Sequence, residues 1–158
     1  MKPSRFFVTS GLGVSKISHL NSFDRALWEA GIDMCNLVKV SSVLPRNTVK
    51  IQPVPIPPGT ITYCVLSHID GQGGERISAG VGWAQCESLS GDQDFGLIAE
   101  DSGFKEKKTL KTDLKEKLLE MAQSRNMQII TEDYVSVELT EVPQQEYGSV
   151  IAAVILLP

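Results

Sequence analysis

Apolar residues occur along this chain in short runs rich in β-branched side chains, and glycine, proline and polar clusters separate the runs. This pattern predicts a protein made largely of strands. The predicted strands are residues 5–9, 36–44, 61–68, 75–86, 95–99, 129–139 and 148–156. Turns are expected at residues 10–13 and 71–74, where glycines cluster, and residues 53–59 predict a stiff, extended proline-rich loop.

Two segments have the spacing of amphipathic helices. In residues 23–30 one face is formed by Phe23, Ala26, Leu27 and Ala30. Asn21 is expected to open this helix, and Gly31 to end it in the left-handed conformation. Residues 109–125 predict one longer helix, whose apolar face consists of Leu110, Leu114, Leu118 and Met121. Two helices covering a largely antiparallel sheet predict an α+β fold.

Composition narrows the function classes. The chain has 158 residues, of which 42% are hydrophobic and 22% charged, with a net charge of −4. These values are typical of one globular domain spanning residues 1–158, and they argue against a nucleic-acid partner. The apolar residues 150–157 are too few to span a membrane, and the N-terminus does not resemble a signal peptide. We therefore expect a cytoplasmic protein with no membrane partner.

The metal-binding residue types are scattered along the chain. The three cysteines are Cys35, Cys64 and Cys86, an odd number without CxxC spacing. This arrangement suits reduced thiols better than a disulfide framework. His19 and His68 are isolated, and we expect them to be structural or surface residues. The sequence therefore predicts no metal site.

The run at residues 36–44 ends in two adjacent serines, Ser41 and Ser42, and Pro45 stops it. Its apolar side chains are Leu37, Val38 and Val40. They predict a buried strand, which proline ends because it has no amide hydrogen for a ladder. Taken alone, two serines here are a polar strand terminus. A chemical role is the alternative, and it depends on the residues that surround them.

Five segments share an order and spacing with one known family. They are Asn21-Ser22-Phe23-Asp24-Arg25-Ala26-Leu27, Gly31-Ile32, Asn36-Leu37-Val38-Lys39-Val40-Ser41-Ser42-Val43-Leu44-Pro45, Gly74-Glu75-Arg76-Ile77-Ser78-Ala79 and Gly96-Leu97-Ile98-Ala99-Glu100. With these segments the chain resembles the pyruvoyl-dependent arginine decarboxylases over nearly its whole length. The resemblance implies a layered αββα sandwich with mostly antiparallel sheets. It also implies a homotrimer, or a dimer of trimers, with active sites between subunits.

The resemblance implies that the chain cleaves itself between Ser41 and Ser42. The Ser42 hydroxyl would attack the Ser41 carbonyl, and elimination would then separate a β chain, residues 1–41, from an α chain, residues 42–158. Residue 42 would become a pyruvoyl group. Asn36 and the Ser41 hydroxyl are the expected local donors to the developing oxyanion. The ordinary interpretation of Asn36 is a polar residue at a strand entry.

In the resembled family, the substrate amine forms a Schiff base with the pyruvoyl carbonyl, which draws electrons as CO2 leaves. Glu100 matches the general acid that protonates the resulting carbon, and burial would raise its pKa for this task. Its ordinary interpretation is a charged residue that begins the turn at residues 100–103.

Asp24 matches the residue that binds the substrate guanidinium, a cation that a carboxylate accepts in a fork. Its ordinary interpretation is a helix cap, because it lies three positions after Asn21. Arg25 is not expected to neutralise it, since adjacent helical residues do not share a face. Asp33 and Cys35 stand where small or apolar pocket residues are expected, and Asp33 would strengthen cation binding or alter the preferred amino acid.

The function implied is decarboxylation of L-arginine to agmatine and CO2, with neither pyridoxal phosphate nor a metal. Two alternatives remain open. One is a decarboxylase of another basic amino acid, and the other is an unprocessed, inactive trimer that serves in binding or structure.

Overall fold

The computed structural model describes residues 1–158 and contains two helices and nine strands. The helices are α1 (His19–Glu29) and α2 (Lys107–Ser124). The strands are β1 (Arg5–Ser15), β2 (Asn36–Lys39), β3 (Val43–Leu44), β4 (Val49–Lys50), β5 (Ile61–Gln72), β6 (Ile77–Ser88), β7 (Asp94–Gly103), β8 (Met127–Leu139) and β9 (Tyr147–Leu157). Neither helix is long and apolar enough to cross a membrane.

The strands form two sheets that pack face to face. The first sheet has the order β2-β5-β9-β1-β4 and the second the order β3-β7-β6-β8. All their long strands pair antiparallel, while the short β2 and β4 join the first sheet as parallel edges. Helix α1 covers the outer face of the first sheet and α2 that of the second. The predicted αββα sandwich is confirmed.

Buried apolar side chains fill the three interfaces between these layers. Between the sheets, the core includes Phe6, Val65, Val81, Trp83, Ile98 and Val154. Under α1, Ala26 and Ala30 meet the first sheet, as the spacing predicts. Under α2, Leu110, Leu114 and Leu118 are fully buried against the second sheet. The two helical faces read from the sequence are therefore the faces that pack.

Strand β1 shows where the turn signal is misleading. The turn expected at residues 10–13 is wrong, because β1 runs unbroken from Arg5 to Ser15 and pairs with β9 throughout. Gly11 and Gly13 lie under α1, where an added Cβ would collide with the carbonyl oxygens of Ala26 and Ser22. These glycines therefore serve close packing of the helix on the strand.

Helix α1 begins earlier than Asn21. Ser18 is the N-cap, and its hydroxyl accepts a hydrogen bond from the Asn21 amide at 3.1 Å. The predicted end is correct, because Gly31 has a φ of 75°. Asp24 consequently lies beyond the first turn, so it does not cap the helix.

The segment that carries the two serines is not one buried strand. It divides into β2, which belongs to the first sheet, and β3, which belongs to the second. Leu37 is half-buried, whereas Val38 and Val40 are 39% and 38% exposed. The prediction of a single buried strand over residues 36–44 is therefore wrong, because the chain changes sheets within it.

The glycines under α1 lead to a prediction about stability. Gly13→Ala should lower the free energy of unfolding by about 3 kcal/mol, since its methyl group meets backbone rather than a movable side chain. Gly59→Ala is the control, because Gly59 has a φ of 79° and open space around it. An alanine in this left-handed conformation is strained, and the strain should lower the free energy of unfolding by only about 1 kcal/mol. Urea denaturation measures both, and equal losses would contradict close packing as the reason for Gly13.

Candidate active site

The Ser41–Ser42 peptide lies where the chain passes from one sheet to the other. On its N-terminal side, the Val40 amide donates to the Cys64 carbonyl of β5 at 2.9 Å. On its C-terminal side, the Ser42 carbonyl accepts from the Ile98 amide of β7 at 2.8 Å. The peptide is thus held at both ends while it belongs to neither sheet. Ser41 is exposed and Ser42 is half-buried.

The donors expected for the Ser41 carbonyl are not supplied within the chain. No group of the chain donates a hydrogen bond to this carbonyl oxygen. Asn36 donates its side-chain amide to the Gly59 carbonyl at 3.1 Å instead. The extended backbone from Asn36 to Val40 spans about 13 Å, well beyond the reach of an asparagine side chain. Asn36 therefore cannot act as a local donor to Ser41 in the same chain.

Ser42 and Glu100 line the same cleft at the edge of the second sheet. The cleft has a volume of about 380 Å³, and its other walls come from β7 and α2. Their residues are Ile98, Ala99, Lys117, Glu120, Met121, Ser124 and Arg125. Strand β3 brings the serine here because it pairs with β7, with Val43 opposite Leu97. Two candidates that are far apart in the sequence thus become neighbours in the fold.

Glu100 differs from its expected surroundings in two ways. It lies inside β7, paired with Val81 of β6, and not at the beginning of a turn. Its side chain is exposed in the single chain. The burial that was expected to keep this carboxyl protonated is therefore absent within one chain, because no strand covers this stretch of β7 beyond the short β3.

The residue after Glu100 is firmly anchored. The Asp101 carboxylate accepts hydrogen bonds from Lys105 at 2.6 Å and from Lys117 at 2.8 Å. Lys117 also donates to the Glu100 carbonyl at 3.2 Å, and Ser67 donates to the Asp101 carbonyl at 2.5 Å. These contacts fix the backbone of the general-acid candidate to α2 and to the first sheet.

The ion pairs around Asp101 shift the pKa values of Asp101 and Lys105. Burial alone would raise the pKa of Asp101, but the hydrogen bonds and charges of Lys105 and Lys117 outweigh it, so the pKa is lowered. Burial would likewise lower the pKa of Lys105, but its bonds to Asp101 and Asp113 outweigh it, so that pKa is raised. Both groups are therefore charged over a wide pH range around neutrality.

Cys64 of β5 lies beside the crossing, where its carbonyl accepts from the Val40 amide. Burial raises the pKa of the Cys64 thiol to about 11. The charge of Lys39 opposes this rise, while Cys35 and Glu100 add to it. Cys35 thus lies near Cys64 and donates its thiol to the Ile32 carbonyl at 3.2 Å. Burial keeps Cys64 a thiol at neutral pH.

Asp24 lies in a different place. It is exposed on α1 and lines a second cleft, of about 500 Å³, with Leu12, Gly13, Val14, Arg25, Trp28 and Glu29. Arg25 donates to the Val14 carbonyl at 3.1 Å and makes no ion pair with Asp24, as expected for adjacent helical residues. Asp33 is half-buried between α1 and β2 and also lies outside the Ser42 cleft. Within one chain, Asp24 does not share a cleft with Ser42.

The sequence did not identify Asp101 and Lys117 as residues of this site. Asp101 directly follows Glu100, and this adjacency was the one available signal for it. Lys117 lies among several other charged residues of α2, so its contact with β7 depends on the tertiary structure. No group of three or more histidine, cysteine, aspartate or glutamate side chains is placed to hold a metal ion.

Comparison with known proteins identifies the family of this chain. A family model described as pyruvoyl-dependent arginine decarboxylase matches residues 5–158. The chain belongs to this family. The decarboxylase of Methanothermobacter thermautotrophicus is 34% identical over 152 residues, covering 95% of this chain and 94% of the relative. That of Methanopyrus kandleri is 31% identical over 153 residues, covering 97% and 96%.

A third relative carries the same description. The pyruvoyl-dependent arginine decarboxylase of Pyrococcus furiosus is 34% identical over 142 residues, covering 88% of this chain and 86% of the relative. The family model covers residues 5–158, a range that includes both sheets and both helices.

The Asp101 anchor leads to a prediction about pH. Because the folded-state pKa of Asp101 is lowered, its contribution to stability is complete above its ordinary value of 3.8 and is lost as the pH falls through the folded value. Asp101→Asn should therefore lower Tm by about 5 °C at pH 7. The difference from the parent should shrink as the pH falls below 3.8 and through the lowered folded-state value.

A matched control removes the other carboxylate that binds Lys105. Asp113→Asn keeps both lysine contacts of Asp101, so its loss of Tm should be the smaller one. Melting curves recorded across the acid range compare the variants. A Tm difference for Asp101→Asn that stays constant with pH would show that charge pairing is not its cause.

Proposed function

We propose that this protein is a self-processing decarboxylase that converts L-arginine to agmatine and CO2. The observation that carries the proposal is the shared cleft of Ser42 and Glu100, built where the chain crosses between sheets. Membership of the family supports the reaction class. The proposal requires that Ser42 becomes the cofactor and that Glu100 supplies a proton.

Processing begins with the hydroxyl of Ser42. Its oxygen attacks the Ser41 carbonyl carbon, and the carbon–nitrogen bond between the two residues breaks, leaving an ester. Elimination breaks the bond between Cβ and the ester oxygen of residue 42, which releases residues 1–41 as a carboxylate. Water then converts the dehydroalanine at position 42 to a pyruvoyl group and releases ammonia. The position of this peptide outside both sheets fits these steps, since no ladder hydrogen bond to Ser41 has to break.

Turnover requires a carbonyl, a proton donor and a site for the substrate. Once formed at residue 42, the pyruvoyl group supplies an electron sink for decarboxylation. Glu100 lines the same cleft, which supports its proposed role as the acid that protonates the carbon that loses CO2. The Asp101 anchor keeps the Glu100 backbone fixed while the side chain stays free to reach the substrate.

Substrate recognition requires a second copy of the chain. Asp24 suits a guanidinium, with which a carboxylate forms paired hydrogen bonds, but it lies in a separate cleft. We therefore propose that Asp24 of one chain completes the Ser42 cleft of another, in a homotrimer or a dimer of trimers. A neighbouring chain would also bury Glu100 and could supply the missing donor to Ser41. Cys35 and Asp33 would line the pocket near this contact.

An apolar surface beside the cleavage site fits such an assembly. Val40 and Val43 flank the two serines and line a cleft of about 390 Å³ with Met1, Pro3, Pro45, Tyr63 and Leu156. Because five of these seven lining residues are hydrophobic, water is a poor partner for this surface. A second copy would cover it and bring its own residues close to Ser42.

Processing leads to the first functional prediction. Intact mass of the denatured protein should show two fragments, residues 1–41 and residues 42–158, with a pyruvoyl group in place of Ser42. Ser42→Ala should give one full-length mass, because it lacks the attacking hydroxyl. A single full-length mass from the parent, with no agmatine formed, would favour the unprocessed, inactive trimer. Faster turnover of lysine or ornithine than of arginine would favour the other basic substrates.

The shared site leads to a second functional prediction. Asp24→Ala should cleave normally but raise KM for arginine about 100-fold, since the paired, charge-assisted hydrogen bonds proposed between its carboxylate and the guanidinium are lost. Chains carrying Asp24→Ala and chains carrying Ser42→Ala should restore activity when co-expressed. If assembly is random and the two chains are equally abundant, about a quarter of all sites would hold both intact residues. Mixed assemblies purified through two different tags and still inactive would show that one chain supplies both residues.

A further inference from the structure

One row of residues crosses the first sheet directly under α1. Gly13 of β1 pairs with Ser149 of β9, and Ser149 pairs with Asp70 of β5. An added Cβ at Gly13 would collide with the Ser22 carbonyl of α1, so the helix backbone rests directly on this row. Ser22 is two residues before Asp24 in the same helix.

A chain of short hydrogen bonds runs along this row to the helix. The hydroxyls of Ser22 and Ser149 are 2.7 Å apart, and both residues are fully buried. The Ser149 hydroxyl donates to Oδ1 of Asp70 at 2.6 Å. The same oxygen lies 2.7 Å from Nε2 of His68. The side chains of Ser22, Ser149, Asp70 and His68 thus join α1 to the neighbouring strands β9 and β5.

The carboxylate sets the direction of the hydrogen bonds. An ionised Asp70 only accepts, so Ser149 and His68 both direct a hydrogen at Oδ1. Ser149 has then used its one hydrogen and can only accept from Ser22. The alternative partner of the Ser22 hydroxyl is the His19 carbonyl within α1, at 3.0 Å. With Ser149 bound to Asp70, the 2.7 Å contact is therefore a hydrogen bond only when Ser22 donates to Ser149 and not to His19.

Apolar packing against β1 does little to fix the rotation of α1 about its own axis or its position along the strand. The strand presents two glycines to the helix, and a surface without side chains has no ridges to interlock with those of α1. Three polar contacts of α1 with β1, through Arg25, Glu29 and the Ala30 carbonyl, are exposed or half-buried. Two further directional contacts join α1 to the sheet: the Ser22–Ser149 hydrogen bond, which is fully buried, and the stacking of Phe23 on His68, with ring centres 4.3 Å apart. Both contacts involve the same network, at the helical turn that precedes Asp24.

We infer that Ser149 and Asp70 are positioning residues that set the orientation of α1, and thereby the place of the Asp24 carboxylate. This inference rests on the proposed function, in which Asp24 binds the substrate guanidinium. A small rotation of α1 would move the exposed Asp24 while leaving Ser42 and Glu100, which lie at the second sheet, in place. Loss of the network therefore weakens guanidinium binding without changing the chemical step.

The test is the kinetics of Ser149→Ala with arginine as the substrate. KM should rise about three- to ten-fold, the loss expected for one buried hydrogen bond, while kcat stays within about twofold of the parent value. Asp70→Ala should raise KM by a smaller factor, because the freed Ser149 hydroxyl can then donate to Ser22. Asp70→Asn keeps an oxygen that accepts from Ser149, so its KM should lie closer to the parent value.

The matched control is Ser78→Ala in the second sheet. Ser78 is fully buried and donates its hydroxyl to the Lys105 carbonyl at 2.7 Å, so its loss tests a buried serine away from α1. The KM of the Ser78→Ala enzyme should stay at the parent value, even if its Tm falls as far as the Tm of Ser149→Ala. Equal KM values for the two serine variants would overturn the inference.

The outcomes distinguish this inference from the proposed function. An active parent enzyme whose KM is unchanged in Ser149→Ala overturns the positioning role alone. A fall in kcat at unchanged KM overturns it as well, because the network would then act on the chemical step. A parent that forms no agmatine from arginine overturns the proposed function, and the positioning role falls with it.

Discussion

The structure depends on a single requirement, that the chain leaves one sheet and enters the other between Val40 and Ser42. Two backbone hydrogen bonds define this crossing, one to Cys64 of β5 and one from Ile98 of β7. A peptide inside a sheet is held by its ladder, and a peptide in a free loop is not held at all. The Ser41–Ser42 peptide is fixed at its flanks and free at its centre. This combination suits the proposed self-cleavage, in which one bond rearranges at a defined place.

The same crossing explains why Glu100 is a neighbour of Ser42. Because β3 pairs with β7 and then ends, the second sheet keeps an uncovered edge beside the serine. That edge would be mobile if it depended on the ladder to β6 alone. The Asp101 contacts with Lys105 and Lys117 supply the missing support from α2, and Ser67 supplies it from the first sheet. An exposed carboxyl is thereby carried on a rigid strand.

Local patterns predicted the layers of the fold well and its connections less well. The apolar faces of α1 and α2 follow from helical spacing, which depends only on neighbouring residues. The turn prediction at Gly11 and Gly13 is wrong, because these glycines make room for the backbone of α1. That helix is a separate segment of the chain, so local sequence does not show the contact. The division of residues 36–44 was missed for the same reason, since only partners in β5 and β7 separate β2 from β3. Ser42, Glu100 and Asp24 were named through family resemblance, whereas Lys117 required the folded contact.

The positions of the candidate residues divide the site into two halves with different mechanical demands. Ser42 and Glu100 lie at the junction of the sheets, where backbone hydrogen bonds hold them. Asp24 lies on α1, whose contact with β1 is smooth and whose orientation relies on a few buried polar groups. The half proposed to carry out the chemistry is therefore held by backbone hydrogen bonds from two sheets. The half proposed to recognise the substrate is carried by a helix whose orientation side chains help to set, so under this proposal a change in amino-acid preference need not disturb the chemistry.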